Sequence, residues 1–458
     1  MKKFLALSLA AVLTLGTLAG CAPKAPAPVD PETPTTEVET TPEVKPVELN
    51  VVTTYAGNDG NAQNFADTYQ AWCKETGNTV ADASATSDET FKARVITDFE
   101  TGAEPDVLFY FNGVDSNAFV EAGKVVSIEE IRAEYPEYAS NMKDGMLGAS
   151  PVDGKNYSVP VNGYWEAMFC NKTVLADCGL EVPGADYTWE QFMADCKVIS
   201  DKGYAPMAAA LANVPHYWFE YCIYNHLDTA THNILPVKEA GNAQYEAWQA
   251  GIGDMKTMYE AGCFPKNTLT GKDDDTFLAF TENKAAFLID GSWKVGGIEA
   301  ACGADAENNI PADPEKIANF TVTYVPGMGN RKTTDIIGGL SMGYYITKKA
   351  WDDPAKREAA VSFVEHMTTD ETVSLFAAVS ATALKNGSQV DQSTLSTLAQ
   401  DGLKLVAGAT GMTGAVQDQI PAECRVPVFD GMPALVSGSR PIQEAVDECL
   451  DLLAAKAG

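Results

Sequence analysis

From residue 47 to residue 111 the hydrophobic pattern changes period from one segment to the next, and this alternation leaves few architectures open. Residues 47–54 (VELNVVTT) read as a strand that runs into the turn-rich Ala56-Gly57-Asn58-Asp59-Gly60. Residues 61–76 carry Phe65, Tyr69 and Trp72 at helical spacing and stop at Gly77. Residues 79–83 read as a second strand. Residues 88–101 read as a helix with Phe91, Val95, Ile96 and Phe99 on one face, and residues 105–111 as a buried strand. Strand, helix, strand, helix, strand predicts α/β layering around a mostly parallel sheet. Ligands of such sheets gather at the carboxyl ends of the strands, which puts residues 55–59 and 112–115 on one rim.

Ahead of this body lies a segment of different character. Lys2 and Lys3 precede a mostly apolar run over residues 4–18, and Ala19-Gly20 leads into Cys21. The pattern resembles the signal peptide and lipobox of a bacterial lipoprotein, which implies removal of residues 1–20 and lipidation of Cys21. The apolar run is shorter than the roughly 18–20 residues of a spanning helix. Residues 22–46 hold prolines 23, 26, 28, 31, 34, 42 and 46 among Thr and Glu, with no aromatic residue, and read as an extended disordered tether. The expected location is the extracellular face of the cytoplasmic membrane, or the periplasm of a cell with an outer membrane. The lipid on Cys21 would be the attachment.

Residues 47–458 are enough for two lobes with separate cores. The formal net charge of −31 argues against nucleic acid, whose recognition needs a basic surface, and against close contact with anionic lipid. Nine cysteines besides Cys21 are widely spread, odd in number and without a CxxC pair, so most read as buried small hydrophobes. Histidines 216, 226, 232 and 366 lack HExxH or paired spacing, and neither metal nor cofactor is expected. Gly271-Lys272 lacks the flanks of a phosphate-binding loop, and Asp273-Asp274-Asp275 reads as a solvated charge run. There is no Gly-x-Ser-x-Gly elbow. The expectation is a protein that is not an enzyme.

An ordered set of short motifs carries a resemblance. Asp153-Gly154-Lys155-Asn156-Tyr157-Ser158-Val159-Pro160 is followed by Phe169-Cys170-Asn171-Lys172, then Tyr187-Thr188-Trp189-Glu190-Gln191-Phe192, then Ala285-Ala286-Phe287 through Gly291-Ser292-Trp293. In order and spacing the chain resembles family 1 extracellular solute-binding proteins, the maltose-binding-protein-like receptors of sugar ABC importers. Cys170 departs from the family's usual tyrosine, and Phe287 from its common methionine. The resemblance implies a periplasmic-binding-protein-like fold of two α/β lobes joined by a multi-strand hinge. Lobe 1 would comprise residues 47–160 plus about 340–380, and lobe 2 residues 161–339 plus about 381–458, with crossings near 160–163, 338–343 and 380–384. It also implies a monomer that binds a mono- or oligosaccharide between its lobes and hands it, unaltered, to transmembrane permease subunits.

Sugars present hydroxyl rims and weakly apolar faces, so their sites combine aromatic platforms with carboxylates and amides. The candidates are Tyr55, Tyr110, Tyr164, Trp165, Tyr217, Trp218 and Trp293 as platforms, with Asn58, Asp59, Asn112 and Asp115 as polar partners. Tyr164 and Trp165 are adjacent, and in an extended segment only one of them faces the cleft. Trp72, Trp189, Trp248 and Trp351 sit in helical patterns and read as packing. Lys and Arg are sparse in these loops, which favours a neutral sugar over a phosphate ester. The alternatives are the same fold with a non-sugar solute, and a tethered glycoside hydrolase or lyase.

Overall fold

A computed structural model describes residues 46–57, 59–150, 152–213, 216–305, 308 and 310–457. The leader, Cys21, the tether up to residue 45 and Asn58 lie outside the described residues, as does the side chain of Tyr217. Strands β1 (Glu48–Val52), β2 (Thr79–Asp82) and β3 (Val107–Phe111) pair in parallel with β1 central. The helices between them are Ala62–Thr76 and Glu89–Thr101. The first stops at Gly77, whose φ of 76° suits a residue without a Cβ. The second is started by the Asp88 carboxylate, which accepts from the Phe91 N–H at 2.7 Å.

Strands β4 (Gly148–Ala149) and β5 (Asn156–Ser158) form a separate antiparallel pair. A second sheet is built around β6 (Tyr164–Asn171), with β7 (Ala205–Met207), β8 (Ala285–Gly291), β9 (Phe320–Thr323) and β10 (Asp335–Gly339). Strand β11 (Met342–Ile346) returns to the first sheet, antiparallel to β3, and β12 (Gly411–Thr413) closes the second sheet beside β10. The second sheet is mixed rather than mostly parallel, because β6 runs antiparallel to β8, β9 and β10. Each sheet has its own cores: Val51, Phe109 and Tyr344 belong to one beside the first sheet, Met168 and Phe287 to one beside the second.

The chain passes between the sheets at residues 159–163 and again at Leu340-Ser341, two residues after which β11 is under way. Gly163 marks the convergence of these passages. Its N–H donates to the Ala381 carbonyl at 2.7 Å, and a Cβ there would lie 2.6 Å from the Gly339 carbonyl. Ala383 and Leu384 still pack in the first sheet's core, and the Gln389 N–H donates to Ser374 at 2.9 Å. Residues 379–384 lie at the junction, with Val379 packed beside the second sheet's core and Ala383 and Leu384 in the first sheet's, and by Leu398 the chain is in the second sheet's core. All nine cysteines of the body are unpaired, and all but Cys73 are buried. Among the described residues no helix is long and apolar enough to cross a membrane.

Candidate functional site

A groove of about 610 Å³ lies between the sheets, within the range of small-molecule sites. One wall is made at the carboxyl ends of the first sheet, by Thr54, Tyr55, Ala56 and Asp59 after β1, by Ala85, Thr86, Ser87 and Asp88 after β2, and by Thr90, Phe91, Lys92 and Arg94 of helix Glu89–Thr101. The opposite wall carries Tyr164 and Glu166 of β6, Trp293 and Lys294 after β8, and Ala415, Gln417 and Asp418 after β12. Asn162, Gly163, Ser341 and Met342 join the walls where the chain crosses.

Alternation along β6 decides which member of the adjacent aromatic pair faces the groove. Tyr164 and Glu166 share one face and line it. Trp165 points the other way, buried, stacked on Phe169 with its indole N–H donating to the Val379 carbonyl at 2.7 Å. The Tyr164 and Trp293 rings meet at 6.2 Å and 46°, a tilted corner open to the groove. Trp293 is held because Gly291 leaves room for its ring: a Cβ at Gly291 would lie 2.1 Å from the indole. Across the groove Tyr55 stacks on Phe109 at 4.6 Å, and its hydroxyl donates to Asn162 Oδ1 at 2.8 Å.

Charge in the groove is dominated by carboxyls. Burial pushes the Asp59 carboxyl up to about 7, against the pull of the Asn61 N–H and the Lys294 ammonium. Burial likewise raises Asp418 to about 7, with Lys92 and Arg425 opposing and Asp115 and Glu220 adding. Glu166 is held well above the usual carboxylate range by burial and then by Glu220, Asp418 and Asp290. Lys294 lies 2.6 Å from Asp273 and 3.7 Å from Asp290. Burial works against its charge, but the two aspartates outweigh burial and keep the ammonium strongly protonated.

Several sequence-predicted residues stand elsewhere. Tyr110 is buried beside Phe91 and Phe119, because the face of β3 that carries it packs under helix Glu89–Thr101. Trp218 is core, stacked on Phe192 at 5.9 Å, because helix His216–Tyr224 turns it toward the second sheet's packing. Asn112 accepts from Ser158 and from the Tyr345 hydroxyl, holding strands together rather than facing the groove. Asp115 is buried in ion pairs with Arg425 at 3.0 Å and Lys92 at 3.3 Å. Tyr217 has its backbone in helix His216–Tyr224. Asp274 and Asp275 of the triplet are exposed, as a solvated run would be, but the triplet also starts helix Asp273–Thr281, the partly buried Asp273 pairs with Lys294, and Asp273 and Asp274 line the groove. The groove also contains Lys92, Arg94, Lys272 and Lys294, so it is richer in cations than its loops suggested. Among the described residues no group of His, Cys, Asp and Glu has metal-holding geometry.

No curated protein matches the chain in sequence. Residues 59–373, which include strands of both sheets, match the family described as bacterial extracellular solute-binding protein. The chain belongs to that family. A chitin oligosaccharide binding protein superposes with a TM-score of 0.72 at 18% identity, covering 90% of this chain and 100% of that one. The maltose/maltodextrin-binding domain from Bdellovibrio bacteriovorus bound to maltotriose gives 0.65 at 18%, covering 88% and 97%. A bacterial solute receptor with an exclusive preference for β-D-galactopyranose gives 0.68 at 15%, covering 90% and 99%. At these identities the shared property is the fold.

In this solute-binding protein Tyr55, Asp59, Tyr164 and Trp293 are the predicted residues that meet at the groove. Glu166, Asn162, Gln417 and Asp418 meet there too and were not predicted. Glu166 carried a legible signal, an acidic residue inside the apolar run Trp165-Glu166-Ala167-Met168-Phe169. Gln417 and Asp418 carried none, since only the fold brings residue 418 next to residue 92.

Proposed function

We propose that this chain is the substrate-binding component of an ABC importer, held by a lipid on Cys21, which captures a mono- or oligosaccharide between two lobes and delivers it to permease subunits. Lobe 1 comprises residues 46–159 and about 342–389, and lobe 2 residues 164–339 and about 395–457. The observation that carries the reading is the groove itself. Aromatic rings from both sides (Tyr55, Tyr164, Trp293) adjoin amide and carboxyl groups (Asn162, Asp59, Glu166), the pairing of flat apolar and hydrogen-bonding surface that a sugar needs. The neighbours named for chitin oligosaccharide, maltotriose and galactopyranose support a sugar as guest.

Binding works by population shift. A guest that touches both walls stabilises the state in which the walls are close, by as much as its affinities for the two states differ. Calorimetric titration against a panel of neutral and amino mono- and oligosaccharides should find a ligand of micromolar affinity or better, recovered without new reducing ends. A panel with no sugar bound would remove the sugar, and new reducing ends would replace the receptor with a hydrolase.

A further inference from the structure

One end of the groove, between β6 and the segment after β12, is short of hydrogen-bond donors. Glu166 is only 2% exposed, lines the groove, and its Oε2 has no donor among the described residues. Gln417 is 7% exposed, also lines the groove, and its Oε1 has none either. Two buried acceptors without donors cost free energy that a guest bringing donors recovers. The local charge specifies the guest further. The charged groups facing Glu166 are Glu220 of helix His216–Tyr224, Asp418 beyond β12 and Asp290 of β8, all acidic. Glu220 is already satisfied by the Gln417 and Val416 N–H groups and by His232. Of the lining cations, Lys294 is committed to Asp273 and Asp290, and Lys92 to Asp115. Beside the acceptors stands the corner of Tyr164 and Trp293, whose ring faces attract positive charge.

We propose that this end of the groove is a subsite for a protonated amine, so that the guest is a sugar carrying a free amino group. The proposal rests on the sugar-receptor reading and narrows it from neutral saccharides to cationic ones. A hydroxyl supplies one proton and no charge; an ammonium supplies three donors and a positive charge, which none of the groups facing Glu166 supplies. Burial and the acidic neighbours raise the Glu166 carboxyl above its usual range, and an arriving ammonium favours loss of its proton, so amine binding strengthens with rising pH for as long as the amine itself stays protonated.

The test is calorimetric titration of the purified protein with matched pairs: glucose and glucosamine, galactose and galactosamine, cellobiose and the glucosamine dimer. The N-acetylated forms serve as uncharged controls and spermidine as a sugar-free cation. The expected result is at least tenfold tighter binding of one amine-bearing sugar than of its hydroxyl and N-acetyl counterparts, a difference that Glu166→Gln abolishes. Equal or tighter binding of the uncharged partners overturns the amine subsite and leaves the sugar receptor standing. Spermidine bound with every sugar refused supports the amine subsite and removes the sugar. Absence of binding by every amine overturns the subsite, whatever the variant does.

Discussion

Trp293 tests the groove at the scale of a single side chain. It is half-buried, lines the groove, and is placed by a neighbour without a side chain. Trp293→Ala should weaken sugar binding at least tenfold, about 1.4 kcal/mol, with only a small fall in melting temperature. Gly291→Ala should do the same indirectly, since its Cβ would occupy the ring's position and swing the indole away. Unchanged affinity in both variants, measured by calorimetry, would make Trp293 a spectator. Glu166 gives a second residue-scale expectation. Its carboxyl is held above its unfolded-state value, so the native state binds more protons. The resulting stability is fully present below the unfolded value, about 4.3, and is lost as pH rises through the native value. Glu166→Gln should therefore flatten the decline of melting temperature between pH 5 and 7.5 in the ligand-free protein. An identical slope in both proteins would show that Glu166 is already ionised. The site was half legible in sequence for a physical reason: aromatic character is local, whereas facing is set by register. Tyr164 and Trp165 differ by one residue and point to opposite faces of β6, and nothing short of the pairing with β8 and β10 distinguishes them.

Among the elements, Asn171 shows how a family-like motif serves the fold instead of the ligand. It ends β6 and caps helix Lys172–Asp177, accepting from the Val174 N–H at 3.1 Å. Its amide donates to the Phe280 carbonyl at 3.0 Å and to Asn283 Oδ1 at 2.8 Å, tying the end of helix Asp273–Thr281 to the sheet. The side chain is fully buried. Asn171→Ala loses a cap worth about 1 kcal/mol and strands buried groups at about 1–3 kcal/mol each. It should lower the melting temperature by several degrees in a thermal scan while leaving sugar affinity within about twofold, because Asn171 is not among the groove residues. A large affinity loss with unchanged melting would contradict this assignment. Elements with local stop signals were legible for the same kind of reason. Asp88 and Gly102 bracket helix Glu89–Thr101 as a cap and a left-handed turn, and both signals lie within the segment they delimit. The antiparallel course of β6 was not legible, since strand direction within a sheet depends on partners more than a hundred residues away.

For the whole molecule, the informative contacts are those that join the two halves beside the groove. On one side the Gly60 N–H donates to the Trp293 carbonyl at 2.9 Å, and on the other Asp115 meets Arg425 at 3.0 Å, both side chains buried. The first contact depends on two glycines. A Cβ on Gly296, in helix Lys294–Ala301, would lie 2.5 Å from the Gly60 Cα, and a Cβ on Gly60 would lie 3.0 Å from the Trp293 carbonyl. Within its own helix Gly296 is the poorer choice, since alanine there favours the helix by about 1 kcal/mol. An alanine at this position therefore helps the half that contains it and obstructs only the approach of the other half. If capture of the guest requires that approach, Gly296→Ala lowers the fraction of molecules able to close, and the apparent dissociation constant rises in inverse proportion. The expected outcome is at least a tenfold loss of sugar affinity, with the ligand-free melting temperature unchanged or raised. Stability and affinity falling together would point to a damaged core, and an unaltered affinity would show that the guest is held without the Gly60–Gly296 contact. The Asp115–Arg425 pair could not serve as cleanly, because removing one partner leaves a buried charge and destabilises the protein whether or not the halves move.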